Sequence, residues 1–281
     1  MKANTITIIA MVLISCTTQL VRAQYEPFEP DANTMGLWHF DENAGVIAYD
    51  SSGNGLDGEL QNGVAWDSLG RFGNCVSFDY SGPDGQRVFV DDDPLLDTND
   101  ELTIDAWIYL LPTHDWSVIA SKWYSSSQNP AGQYILLIND ENKMSFVCAH
   151  NDQTYFIRTD DVIPFNQWIL VSAIFDNGHM ALYVDGIRVA YDQAPFTSLT
   201  SVEYTHDELN IGDHWRDTSY PYTFEGRIDE VRISDIARYE VTGVDQNIEG
   251  PIPNKMTTTQ NYPNPFNAST TIEYGCLRRG E

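Results

Sequence analysis

The chain has 281 residues, with 41 acidic side chains against 15 basic ones and a formal net charge of −26. That length accommodates one large β domain or two small ones. That charge repels phosphate backbones and anionic lipid heads, which argues against nucleic-acid and membrane-surface partners, while dense carboxylates suit divalent cations.

The N-terminus reads as a signal peptide, residues 1–23. Lys2 precedes the apolar run "ITIIAMVLI" (Ile6 to Ile14), which is too short to span a bilayer. Val21 and Ala23 supply the small or apolar residues for cleavage before Gln24. A rival reading takes "LISC" as a lipobox, with lipidation at Cys16. Either way the chain leaves the cytoplasm, to be secreted or held at the surface of a bacterial cell. No other run reaches transmembrane length. Residues 24–34 form a lead-in.

From there the pattern is β. Strands are expected at Gly36–Asp41, Val76–Asp79 and Arg87–Val90. "LTIDAWIYL" (Leu102 to Leu110) alternates with period two, with Leu102, Ile104, Ala106, Ile108 and Leu110 on one face. Further strands are expected at Ser117–Lys122, Tyr134–Asn139 and Met144–Ala149. "WILVSAIF" (Trp168 to Phe175) is apolar on both faces, as a central strand is. It leads a three-strand meander whose turns are Asn177-Gly178 and Asp185-Gly186. Leu209–Gly212 and Arg227–Ser234 complete the set, and "DIARYE" after Ser234 is the one candidate helical turn. Cys75 and Cys148 sit in strand-like runs and read as small buried fillers. The whole predicts an all-β, antiparallel two-sheet sandwich. After Tyr239 the composition turns polar and rich in Pro and Thr, so residues 241–260 read as a linker.

An ordered set of segments resembles a known family. "GLWHFDENAGVIAYDSSGNGLDGEL", "GRFGNCVSFDY", "LTIDAWIYL", "NQWILVSAIFDNGHMALYVDGIRVA", "LNIGD" and "FEGRIDEVRISDIARY" follow the order of laminin-G-like domains of the concanavalin A-like superfamily. The resemblance implies a jelly-roll domain over residues 35–240. A second resemblance is "NYPNPFNASTTIEY" (Asn261 to Tyr274), which is similar to the start of the C-terminal sorting domain of type IX secretion cargo. "GCLRRGE" then departs from the expected continuation, so residues 261–281 read as the truncated start of such a domain.

Two stretches are candidate sites. "DSSGNG" places Asp50, Ser52 and Asn54 around glycines, a composition that wraps calcium or makes a bare turn. It is not an EF-hand, since Gln61 stands at position twelve and no helix flanks the loop. Asp229 interrupts the apolar Ile228, Val231 and Ile233 and needs a partner. The family resemblance implies a structural calcium between this loop and the last long strand, held by Asp50, Asn54 and Asp229 and pinning the chain ends together.

The second candidate is aromatic: Trp123 and Tyr124 in one loop-like stretch, and Trp215, Tyr220 and Tyr222 in another. Exposed rings stack on sugars, and neighbouring Asp213, His214, Arg216 and Asp217 offer hydrogen bonds. Buried rings would only cap the core. No catalytic pair of alternating carboxylates, zinc spacing or nucleophile motif occurs. The expectation is a non-catalytic, calcium-stabilised module that binds carbohydrate or a surface glycan. The alternatives are an adhesive module with a cell-surface protein partner and, more weakly, a divergent glycosidase.

Overall fold

The structure is a computed structural model describing residues 25–79, 85–112, 116–125, 130–151, 153–200, 208–216 and 222–239. Contacts divide the chain into Met1–Tyr239 and Glu240–Glu281. The signal-peptide, linker and sorting-domain readings therefore lie outside the described residues. Among the described residues no helix is long and apolar enough to cross a membrane.

Two antiparallel sheets face each other. In chain order the strands are β1 (Thr34–Trp38), β2 (Ile47–Ala48), β3 (Gly58–Gln61), β4 (Ala65–Asp67), β5 (Cys75–Phe78) and β6 (Arg87–Val90). Then come β7 (Glu101–Leu110), β8 (Ser117–Ser125), β9 (Pro130–Ile138), β10 (Met144–His150), β11 (Gln153–Arg158) and β12 (Trp168–Asp176). The last are β13 (His179–Val184), β14 (Ile187–Gln193), β15 (Leu209–Ile211), β16 (Trp215–Arg216) and β17 (Gly226–Ser234). The first sheet runs β14-β13-β12-β7-β17-β5-β4, with β1 also on β17. The second runs β11-β10-β9-β8-β15-β6-β3-β2, with β16 on β8. This is the jelly-roll sandwich.

The period-two patterns place the core. Leu102, Ile104, Ala106, Ile108 and Leu110 of β7 all face it, as do Val171, Ala173 and Phe175 of β12. Truncating a side chain there, such as Phe175→Ala, costs about 3–5 kcal/mol. The meander turns form as their residues dictate: Asn177 and Asp185 take φ of 47° and 49°, and each is followed by a glycine of positive φ. The expected helical turn at "DIARYE" is absent, since residues 235–239 are bends and irregular backbone. Their main chain is drawn onto β7 instead: Ile236 O accepts from Thr103 Oγ1 at 2.6 Å, and Ala237 N donates to Glu101 at 3.0 Å.

The outer face of the first sheet is also covered. Trp107 meets Tyr25 and Phe72 edge-on, with centroids 5.0 and 5.7 Å apart. Asp105, fully buried, takes Arg232 Nη2 at 2.6 Å, Ser172 Oγ at 2.6 Å and Tyr239 OH at 3.2 Å. A buried ion pair satisfied on every side holds register even when it adds little net stability. Cys75 and Cys148 are buried free thiols, and burial pushes the Cys75 thiol up to about 12.

Candidate functional site

The second sheet has an apolar outer face. Val118, Trp123, Ile135, Leu137 and Ala149 form a cluster there, separate from the core, with Trp116, Val147 and Tyr222 packed against it. Alternation explains this. On β9, Leu136 and Ile138 point into the sandwich, so Ile135 and Leu137 point out.

The aromatics expected to bind sugar lie along β8, toward both of its ends. Trp215 pairs in register with Tyr124, because β16 lies parallel to β8. Val118 N donates to Tyr222 O at 2.8 Å, at the other end of β8. The Tyr222 ring stacks on His214 at 5.0 Å and tilts against Trp116 at 5.9 Å, so three rings form a row. Trp116 was not among the expected residues; its signal was only its place just before a strand. Tyr220 and Asp217 lie outside the described residues.

Trp123 corrects its expectation. It is 7% exposed and caps the outer cluster rather than presenting a free plane. Its close fit depends on Gly132 opposite, where a Cβ would lie 2.5 Å from Trp123 Cα.

Asp213 organises the adjoining loop. Its carboxylate accepts His214 N at 2.7 Å and Thr223 Oγ1 at 2.9 Å, and its carbonyl accepts Ser121 Oγ at 3.0 Å. These bonds hold the His214 ring against Tyr222. Asp213 and His214 are buried, so the partly exposed Trp116 and Tyr222 are the rings of this row that reach the surface.

The residues expected to hold calcium are not brought together. Asp50 is the hub of its loop. Oδ1 accepts Leu37 N at 3.0 Å and Ser52 N at 2.8 Å, and Oδ2 accepts Ser52 Oγ at 2.6 Å and Leu56 N at 3.0 Å. Four donors leave that carboxylate no lone pair for an ion. Asn54 turns its amide donor to the carbonyls of Thr34 and Met35, at 3.1 and 2.9 Å. Asp229 belongs to another neighbourhood, accepting Arg71 N at 2.7 Å and Phe72 N at 3.0 Å on Oδ2. Among the described residues no three His, Cys, Asp or Glu side chains are grouped to hold a metal. The expected trio therefore does not fit a calcium ion.

Asp229 retains one unsatisfied oxygen, the buried Oδ1. Burial pushes its carboxyl up to about 7, helped by the charges of Glu230 and Asp41 and opposed by the two backbone donors. The next residue, Glu230, has no site role in the sequence reading. It sits at a bulge with φ 53°, buried, and binds His39 Nδ1 at 2.7 Å and Phe28 N at 2.8 Å.

A family model described as Concanavalin A-like lectin/glucanases superfamily matches residues 82–240. Domain 4 of AbnA, a GH43 extracellular arabinanase from Geobacillus stearothermophilus solved with arabinotriose, is similar at TM-score 0.52 and 20% identity. That match covers 72% of this chain and 92% of that one. The binding domain of botulinum neurotoxin DC, solved with rat synaptotagmin II, is similar at TM-score 0.50 and 15% identity. It covers 73% of this chain, which spans about half (48%) of that one. No curated protein matches the chain.

Proposed function

The chain belongs to the concanavalin A-like lectin/glucanases superfamily, and from that membership we propose that it is an exported, non-catalytic module that binds carbohydrate. The observation that carries the reading is the Trp116–Tyr222–His214 row at the start of β8, where Trp116 and Tyr222 are partly exposed over buried His214 and Asp213. Arabinotriose in the AbnA domain lends support, as a sugar held by a protein of the same fold. Asp105 with Arg232 and Asp50 with backbone donors are carboxylates engaged in structural bonds. A glycan array probed with the purified chain tests the reading. Selective binding to a related group of glycans supports it, and a blank array counts against it.

A second reading, adhesion to a cell-surface protein, has its own support. Phe156 on β11 and Ile187, Val189 and Tyr191 on β14 are exposed, and these are the edge strands of the two sheets. Exposed apolar side chains on a sheet edge invite protein contacts. Both readings share proposed export by residues 1–23 as a signal peptide, with residues 261–281 as the truncated start of a type IX sorting domain. An exported protein whose mass begins at Gln24 supports the first, whereas a diacylated Cys16 overturns it.

A further inference from the structure

At one edge of the sandwich β11 and β14 each end their sheet. The Tyr155 hydroxyl of β11 donates to Asp192 of β14 at 2.6 Å and bridges the two. Farther along, β11 leads into residues 159–164, and between these and β14 lies a recess of about 330 Å³. Ile163 and Val184 line its inner side and pack on the core, while Val162, Pro164 and Val189 are exposed. Apolar surface continues past the recess. Val162 is 58% exposed, and Ile187, the cross-strand partner of Val184, is 69% exposed. No aromatic ring lines the recess, which sets it apart from the Trp116–Tyr222–His214 row.

The bend that shapes the recess is fixed by its own bonds. Thr159 N donates to Met144 O at 2.9 Å, Thr159 Oγ1 to Asp161 O at 2.8 Å, and Ile163 N to Asn142 O at 2.8 Å. A preformed site loses less entropy on binding than a loose one. On β14 a bulge sets Val189 between Arg188, which faces Tyr183, and Ala190, which faces Leu182. The bulge interrupts the regular edge that an added strand would need, so side chains must lead any contact here.

Charge selects the occupant. Asp160 and Asp161 stand exposed at the rim, and among the described residues neither carboxylate has a hydrogen bond or an ion pair. The nearby cation, Arg188, faces away. It sits opposite Tyr183, whose neighbours Leu182 and Val184 pack on the core, and lies 5.2 Å from the Tyr191 ring centroid. A second copy of the chain would bring the same aspartates and the same net charge of −26 against this face. A cationic partner finds an apolar seat and a counter-charge together.

We propose that this recess is the docking site for a cationic peptide segment of a partner protein. One branched or aromatic apolar side chain fills the recess, and flanking lysine or arginine side chains pair with Asp160 and Asp161. The apolar seat supplies most of the affinity, while the exposed aspartates select the sign of the partner and speed encounter. The inference rests on the adhesion reading, names the class of partner, and is independent of the carbohydrate reading.

The test uses the full chain and an array of short peptides. Each peptide carries a central leucine, phenylalanine, alanine or serine, flanked by lysine, serine or glutamate. Wild type is compared with two double variants, Val162→Ser with Ile187→Ser and Asp160→Asn with Asp161→Asn. All four positions are exposed, so both variants should melt as the wild type does. Lysine-flanked leucine and phenylalanine peptides should bind the wild type roughly tenfold or more tightly than the serine-centred ones. The serine variant should lose that margin. The asparagine variant should bind several-fold more weakly, with a flatter dependence on salt. Lysine-flanked peptides that bind alike whatever their central residue show charge attraction alone and overturn the proposal. Selectivity unchanged in both variants overturns this site and leaves adhesion standing at another surface. A blank peptide array overturns both. Sedimentation that finds the wild type self-associated and the serine variant monomeric assigns the face to a second copy and overturns the proposal.

Discussion

Arg238 grips Asp31 with two parallel bonds, Nη1 to Oδ2 at 2.9 Å and Nη2 to Oδ1 at 2.7 Å. The pair ties the lead-in to the last described turn. Thr34 Oγ1 reinforces it, donating to Asp31 at 3.0 Å and accepting from Arg238 at 3.1 Å. Thr34 also faces Ser234 in the β1–β17 pairing. Here side chains and a strand pair perform the joining of chain ends that the sequence reading assigned to calcium.

Asp31→Ala should therefore destabilise the domain, by about 1 kcal/mol since the carboxylate is half exposed. The Arg238 hydrogen bond holds the Asp31 carboxyl well below the usual range. Its contribution is thus fully present above the normal carboxylate pKa and disappears as pH falls through the depressed value. Urea titration at pH 7 and pH 3 checks both statements. A double-mutant cycle with Arg238→Ala should return a coupling energy that shrinks in high salt.

The Asp50 loop yields a prediction opposite in sense to a calcium site. Asp50→Ala removes four acceptor contacts and should cost about 2–4 kcal/mol, equally in calcium and in chelator. Burial raises the Asp50 pKa, but the donors of Ser52, Leu56 and Leu37 outweigh it and leave it lowered. Thermal melts of wild type and variant, with and without chelator, make the comparison. A chelator-dependent loss confined to the wild type would restore Asp50 as a ligand.

Asp229 should behave in the reverse way with pH. Its carboxyl is raised to about 7, so the folded state holds a proton that the unfolded chain has already released. The favourable contribution is complete below about pH 4 and is lost as pH rises to about 7. Asp229→Asn keeps an acceptor for Arg71 and Phe72 and carries no charge. At pH 8 it should exceed the wild type in stability, by up to ~4 kcal/mol, and the gap should close toward pH 4. If instead the variant is less stable than wild type in calcium and equal to it in chelator, a cation supplies the missing partner of Oδ1.

The architecture was open to reading because alternation is a strong signal over long strands. β7, β12 and the two Asn-Gly and Asp-Gly turns could be placed to within a residue or two. The short strands β2, β4 and β16 could not, since two or three residues carry no period. The site was half legible. Composition singled out two aromatic stretches, but ring exposure depends on what crosses above. Trp123 is roofed by its own cluster, whereas Trp116 enters the row with Tyr222 and His214. Asp50 misled because a loop that wraps an ion and a loop that wraps its own backbone donors use the same residues.

The most direct measurement is calorimetric titration of the glycan best bound on the array into wild type, Trp116→Ala and Tyr222→Ala. Each ring removed from a stacking row should weaken binding by roughly 1–3 kcal/mol, judged from the worth of aromatic rings at interfaces and stacking sites. Melting curves identify any loss due to unfolding. The carbohydrate reading predicts folded variants with tenfold or greater loss of affinity and no change in stoichiometry for what still binds. Folded variants that bind as tightly as the wild type would contradict the placement of the sugar on the Trp116–Tyr222–His214 row.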